Sequence, residues 1–143
     1  MNKLRYPLFF TRVSIFYFLL PWVLMRFSAP EKSKGIASKY YMIADMPNLL
    51  NTAIGVFWVV LIVSFVAGFK KRISYGLVLC FHTIGTVFTA PYLIVGTESA
   101  RNVFFAAIPV IGAMLLLYLL REEDSFLAVD GKRSESQPKK GET

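Results

Sequence analysis

Three stretches of this chain run for roughly the width of a bilayer without an Asp, Glu, Lys or Arg: Met46 to Phe69 (24 residues), Ile73 to Thr97 (25) and Asn102 to Leu120 (19). A spanning helix needs about 20 apolar residues. In hydrocarbon the backbone has no water to bond, so each isolated run must satisfy its own N–H and C=O groups, and only a helix does that. The 55% share of hydrophobic residues, above the usual range for a soluble domain, points the same way.

The first span is shorter in appearance. Arg12 and Arg26 enclose 13 uncharged residues, VSIFYFLLPWVLM. The run reaches spanning length from about Leu8 to Ala29 if the two arginines carry their heads to opposite interfaces. Lys3 and Arg5 before an apolar stretch also resemble a signal peptide, but the small-residue site at Ala29 would put the bulky Phe27 at −3, Arg26 just before it and Pro30 directly after the cut.

The expected fold is therefore all-α, an integral membrane four-helix bundle with spans at about 8–29, 46–69, 73–97 and 102–120. Short turns after the second and third spans make neighbours antiparallel. Four crossings put both termini on one side, with the Lys70-Lys71-Arg72 turn. That side holds eleven of the 16 basic residues, so the positive-inside rule makes it cytoplasmic.

Between spans one and two, Ser28-Ala-Pro-Glu31 has capping-box spacing, and Ile36, Tyr40 and Ile43 follow at i, i+4 and i+7. These residues predict an outer interfacial helix over about 29–44, its Lys32, Lys34 and Lys39 facing water or lipid phosphates. A plain connector is the alternative. From Glu122 the chain turns polar and ends in GKRSESQPKKGET, which predicts a disordered cytoplasmic tail over 122–143 beyond a transmembrane domain of residues 1–121.

Two polar stripes lie inside the spans. Asn48, Asn51, Thr52 and Gly55 share one face of span two, and His82, Gly85, Thr86 and Thr89 share one face of span three. Their depths overlap, so face to face they would form a polar seam, with Tyr17 and the outer-loop tyrosines nearby. The seam could hold a polar headgroup, a quinone carbonyl or a proton, since polar groups at depth are costly. Ordinary interhelical hydrogen bonding accounts for the same residues.

Catalysis has less support. Cys80 is the only cysteine and lies about 200 degrees around the helix from His82, the only histidine, so they are no nucleophile–base pair. The spans contain no carboxylate and no second histidine, so no metal set is expected. The net charge of +7 is scattered between apolar runs, which speaks against nucleic acid as a partner.

Three stretches, PEKSKGIASKYYMI, GFKKRISYGLVLCFHTIGT and RNVFFAAIPVIGAMLLLYLLREED, together resemble the DoxX-like family of small four-helix membrane proteins. The resemblance runs from about Arg12 to Asp130. It implies a multi-pass protein of the bacterial cytoplasmic (inner) membrane. In some members the implied role is a small subunit linked to thiosulfate:quinone oxidoreduction or to an oxidative-stress complex. Many members carry an acidic residue in or near their early spans, where this chain reads IGVFWVVLIV, and no catalytic residue carries over.

The expected role is an accessory or anchoring subunit of a membrane redox system, with quinone the cofactor it would meet and a membrane oxidoreductase its partner. A small transporter or channel, formed by a homo-oligomer, or a lipid-binding protein is the other reading.

Overall fold

A computed structural model describes residues 3–95 and 104–130, the side chains of 93–95 excepted. Helix α1 spans Arg5–Ser28, α2 Pro30–Tyr41, α3 Asn48–Val66, α4 Lys71–Val95 and α5 Ala107–Leu119. No strand occurs among the described residues. Helices α1, α3 and α4 are long and apolar enough to cross a membrane: α3 and α4 carry the uncharged runs 46–69 and 73–97, and α1 is the span that holds Arg12 and Arg26.

Each long helix buries one stripe and turns the rest of its apolar surface outward. In α1 the buried positions are Leu8, Arg12, Ile15, Leu19 and Val23, a helical spacing of three and four. Their neighbours Phe10, Tyr17 and Leu24 are exposed, which suits a helix with lipid on its outer face. α1 packs on α3, α3 on α4, α4 on α5 and α5 back on α1, closing a four-helix ring. Leu19, Ile62, Phe65, Val78, Met114 and Leu117 fill its centre.

α5 is 13 residues long, about 20 Å, less than a hydrocarbon core of about 30 Å. A turn at Ala106 separates it from helical Phe104 and Phe105. Pro109 lies in its first turn, where a missing N–H costs no intrahelical bond. The start of the expected fourth span, at Asn102, and the turn Glu98 to Arg101 lie outside the described residues.

α2 begins at Pro30, as the proline predicts, but the capping box does not form. Ser28 is the last residue of α1 and its Oγ donates to the Leu24 carbonyl (3.2 Å), leaving Ala29 as the α2 N-cap. α2 also does more than float at an interface. Ser33 and Ala37 are buried, and the helix packs on α1, α3 and α4, roofing that end of the bundle.

The opposite end corrects two expectations. Residues Glu122 to Asp130 are no free tail; the expected remainder, 131–143, lies outside the described residues. Val129 N–H donates to the Ala67 carbonyl (2.9 Å), and Asp130 Oδ2 accepts from the Lys71 backbone N–H (3.0 Å) at the start of α4. Lys71 Nζ donates to the carbonyls of Arg121 (2.7 Å) and Asp124 (3.1 Å).

Arg12, expected to reach an interface, lies beneath this segment with 0% exposure. Its Nη1 donates to Asp124 Oδ2 (3.1 Å) and the Tyr75 hydroxyl (3.3 Å), and its Nη2 to the Phe126 carbonyl (2.7 Å). Tyr75 in turn donates to Asp124 Oδ2 (2.6 Å). A guanidinium inside the bundle is costly without a counter-charge, and Asp124 supplies one from outside the spans.

Candidate functional site

The seam expected between α3 and α4 is half present. His82, Thr86 and Thr89 of α4 line a cavity of about 200 Å³ beneath α2. Asn48, Asn51 and Thr52 of α3 do not. Helix α3 turns its polar face toward α1 and α2, where Gly55 lies against the Phe27 ring, so close that a Cβ there would stand 2.7 Å from Phe27 Cζ. Asn48 and Thr52 are exposed, Asn48 accepting from Lys34 Nζ (2.9 Å).

Asn51, 1% exposed, is a clamp between helices. Its Oδ1 accepts from Arg26 Nη1 (3.0 Å) and Ser33 Oγ (3.0 Å), and its Nδ2 donates to the Arg26 carbonyl (3.1 Å). Those bonds join the end of α1, the face of α2 and the start of α3, and they fix the Arg26 side chain in one place.

The cavity is built on that fixed arginine. Arg26, Ser33, Tyr40 and Tyr41 supply polar lining beside His82, Thr86 and Thr89, and Phe18, Trp22, Trp58 and Phe81 supply aromatic walls. Tyr17, expected nearby, is instead 66% exposed and outside the lining. Both tryptophans of the chain line the cavity.

The polar groups are not equivalent. Thr86 Oγ1 donates to the His82 carbonyl (2.8 Å) and Thr89 Oγ1 to the Thr86 carbonyl (3.1 Å), so both hydroxyl protons are used within α4. His82 stands edge-on to Phe18 at 5.7 Å, and its buried Nε2 has no hydrogen-bond partner among the described residues. The Tyr41 hydroxyl sits over Gly85, where a Cβ would lie 3.2 Å from it. Burial raises the Tyr41 phenol above its ordinary pKa and the nearby Arg26 charge opposes that rise, so the hydroxyl stays protonated and able to donate.

A cavity of this size takes a ring, a headgroup or a short length of chain, since about 150 Å³ already holds a benzene. Polar donors and aromatic walls in one cavity suit a molecule that has both a polar and an apolar part.

Of the residues that build this cavity, Arg26 and Ser33 carried no sequence signal as ligand groups. Arg26 reads as an interfacial anchor, and only its position one helical turn from Trp22 hints at an aromatic neighbour. No protein-family model matches the chain, and neither the curated proteins nor the solved structures contain a match.

Proposed function

We propose that this protein is a multi-pass membrane protein that binds the polar end of an amphipathic molecule in the cavity beneath α2. One observation carries the reading: a clamped arginine, a tyrosine hydroxyl and a histidine nitrogen with no hydrogen-bond partner among the described residues line one cavity with aromatic walls. Transferring such polar groups out of water is costly unless something bonds them. A ligand with an acceptor-rich head would do so, leaving its apolar part to the walls and the bilayer.

The eleven basic residues grouped with both termini support a four-crossing topology with those termini cytoplasmic, which would put the cavity in the outer half of a bacterial cytoplasmic membrane. A second reading rests on His82. Its Nε2, which has no hydrogen-bond partner among the described residues, would suit a quinone carbonyl. Together with the DoxX-like resemblance this supports an accessory subunit of a quinone-linked membrane oxidoreductase.

The binding reading is tested by filling the cavity. Thr86 is half-buried in its lining, so Thr86→Phe should occupy much of the space. Bound amphiphile stabilises the folded state by mass action, about 2.7 kcal/mol at a hundredfold excess over Kd. Thermal unfolding of the wild type in mild detergent should therefore rise and saturate as an amphiphile is titrated, and Thr86→Phe should show no saturating rise. An equal response in both proteins would remove the cavity as the site.

A further inference from the structure

The binding reading leaves the charge of the ligand's head open, and the inference that follows rests on that reading. Arg26 decides it. The ion pairs among the described residues are Arg12 with Asp124, Lys34 with Glu31 and Arg121 with Glu122, so Arg26 lines the cavity with no described carboxylate against it. A guanidinium has five N–H donors. One bond, from Nη1 to Asn51 Oδ1, is made to a side chain, and Asn51 is itself held by Ser33 and by the Arg26 carbonyl.

The contrast with Arg12 is instructive. Each arginine lies near one end of α1, 14 residues and about 21 Å apart along the axis. Arg12 is neutralised by Asp124 and donates further hydrogen bonds to the Tyr75 hydroxyl and two backbone carbonyls. Arg26 is held by a neutral amide, which orients the cation without cancelling its charge. The Tyr41 hydroxyl lines the same cavity as Arg26 and reaches over Gly85 of α4. Guanidinium donors and a phenolic O–H that line one cavity match an anion with several oxygens, and charge-assisted bonds of this kind are about twice as strong as neutral ones.

The cavity also limits what lies behind the head. At about 200 Å³, walled by Phe18, Trp22, Trp58 and Phe81, it has room for a headgroup and the first few methylenes, with the rest of the chain passing into lipid. We propose that this cavity takes an anionic single-chain amphiphile, its carboxylate or phosphate on the Arg26 guanidinium and the Tyr41 hydroxyl and its first methylenes against the aromatic walls. A fatty acid and a lysophospholipid share this chemistry.

The two tryptophans in the lining make the test direct, because bromine atoms near the head of a bound chain quench them. Purified full-length protein in neutral detergent is titrated with brominated fatty acid, its methyl ester and brominated lysophosphatidylglycerol, at mildly alkaline pH so that the acid is ionised. The expected result is saturable quenching by the acid, the lysophospholipid or both, with an apparent affinity roughly tenfold or more above the ester's. The ranking of the two anions assigns the source as a carboxylate or a phosphate.

Arg26→Gln, which keeps a donor for Asn51, should bring the anions down to the ester. The comparison of acid with ester in the wild type needs no variant, so a misfolded Arg26→Gln would not blunt the test. Equal saturable quenching by acid and ester overturns the anionic head while leaving amphiphile binding intact, and would favour a neutral head such as a quinone. Absence of saturable quenching by every probe overturns both.

Discussion

Asp124→Ala should destabilise the folded protein by about 3–5 kcal/mol, the range found when one partner of a buried ion pair is removed. Arg12 would stay at 0% exposure and lose the Asp124 carboxylate, its one ion-pair partner among the described residues. Tyr75 would lose the acceptor 2.6 Å from its hydroxyl at the same time. The effect extends past the pair, because Asp124 belongs to the segment that crosses the α3–α4 turn and bonds Ala67, Gly68 and Lys71.

Chemical or thermal unfolding in detergent measures the loss. Replacing both charges by apolar groups, Arg12→Met with Asp124→Leu, should recover much of it, since no unpaired charge remains buried. A wild-type-like Asp124→Ala would mean that Arg12 finds water or another anion in the folded state.

Gly68→Ala should cost about 3 kcal/mol, for two reasons that act together. Gly68 has φ +64°, a left-handed conformation that charges an L side chain about 1–2 kcal/mol. The new Cβ would also stand 2.6 Å from Arg12 Nη1, 2.7 Å from Ala128 Cβ and 3.0 Å from Ala128 Cα. The arginine cannot swing aside without breaking its bonds to Asp124 and Phe126, and Ala128 is fully buried. The expected readout is a lowered unfolding midpoint together with faster proteolysis around residues 121–130. If only the midpoint fell, the strain would lie in the turn alone and the segment would still dock.

These two sites show where a linear reading stops. Helices α3 and α4 were legible because charge bounds their apolar runs sharply: Asp45 stands before α3, and Lys70 to Arg72 mark the passage from α3 to α4. The bond from Arg12 to Asp124 joins residues 112 apart, and nothing local marks it. A signal did exist. Arg12 sits among apolar neighbours and needs a counter-charge, and Phe126, Leu127, Ala128 and Val129 form a short apolar run before the polar tail. A segment with its own apolar residues and acids at both ends is suited to dock on a basic bundle end.

The cavity was legible on one helix and not on its partner. His82, Thr86 and Thr89 recur at helical spacing and do line it. Beyond the polar stripe of its first two turns α3 is apolar apart from Ser64, so its sequence does not single out the face that meets α4. Its Asn51 meets Arg26 and Ser33 instead, and places the cation that the spacing of α4 could not reveal.

The central claim is that the cavity holds an amphiphile, and lipid-extract mass spectrometry of the purified protein tests it most directly. Wild-type protein and Thr86→Phe, taken from the same membrane in mild detergent, are compared after equal washing. The account predicts one amphiphilic species retained near one per chain by the wild type and strongly depleted from Thr86→Phe. The same lipids in the same amounts on both proteins would contradict it.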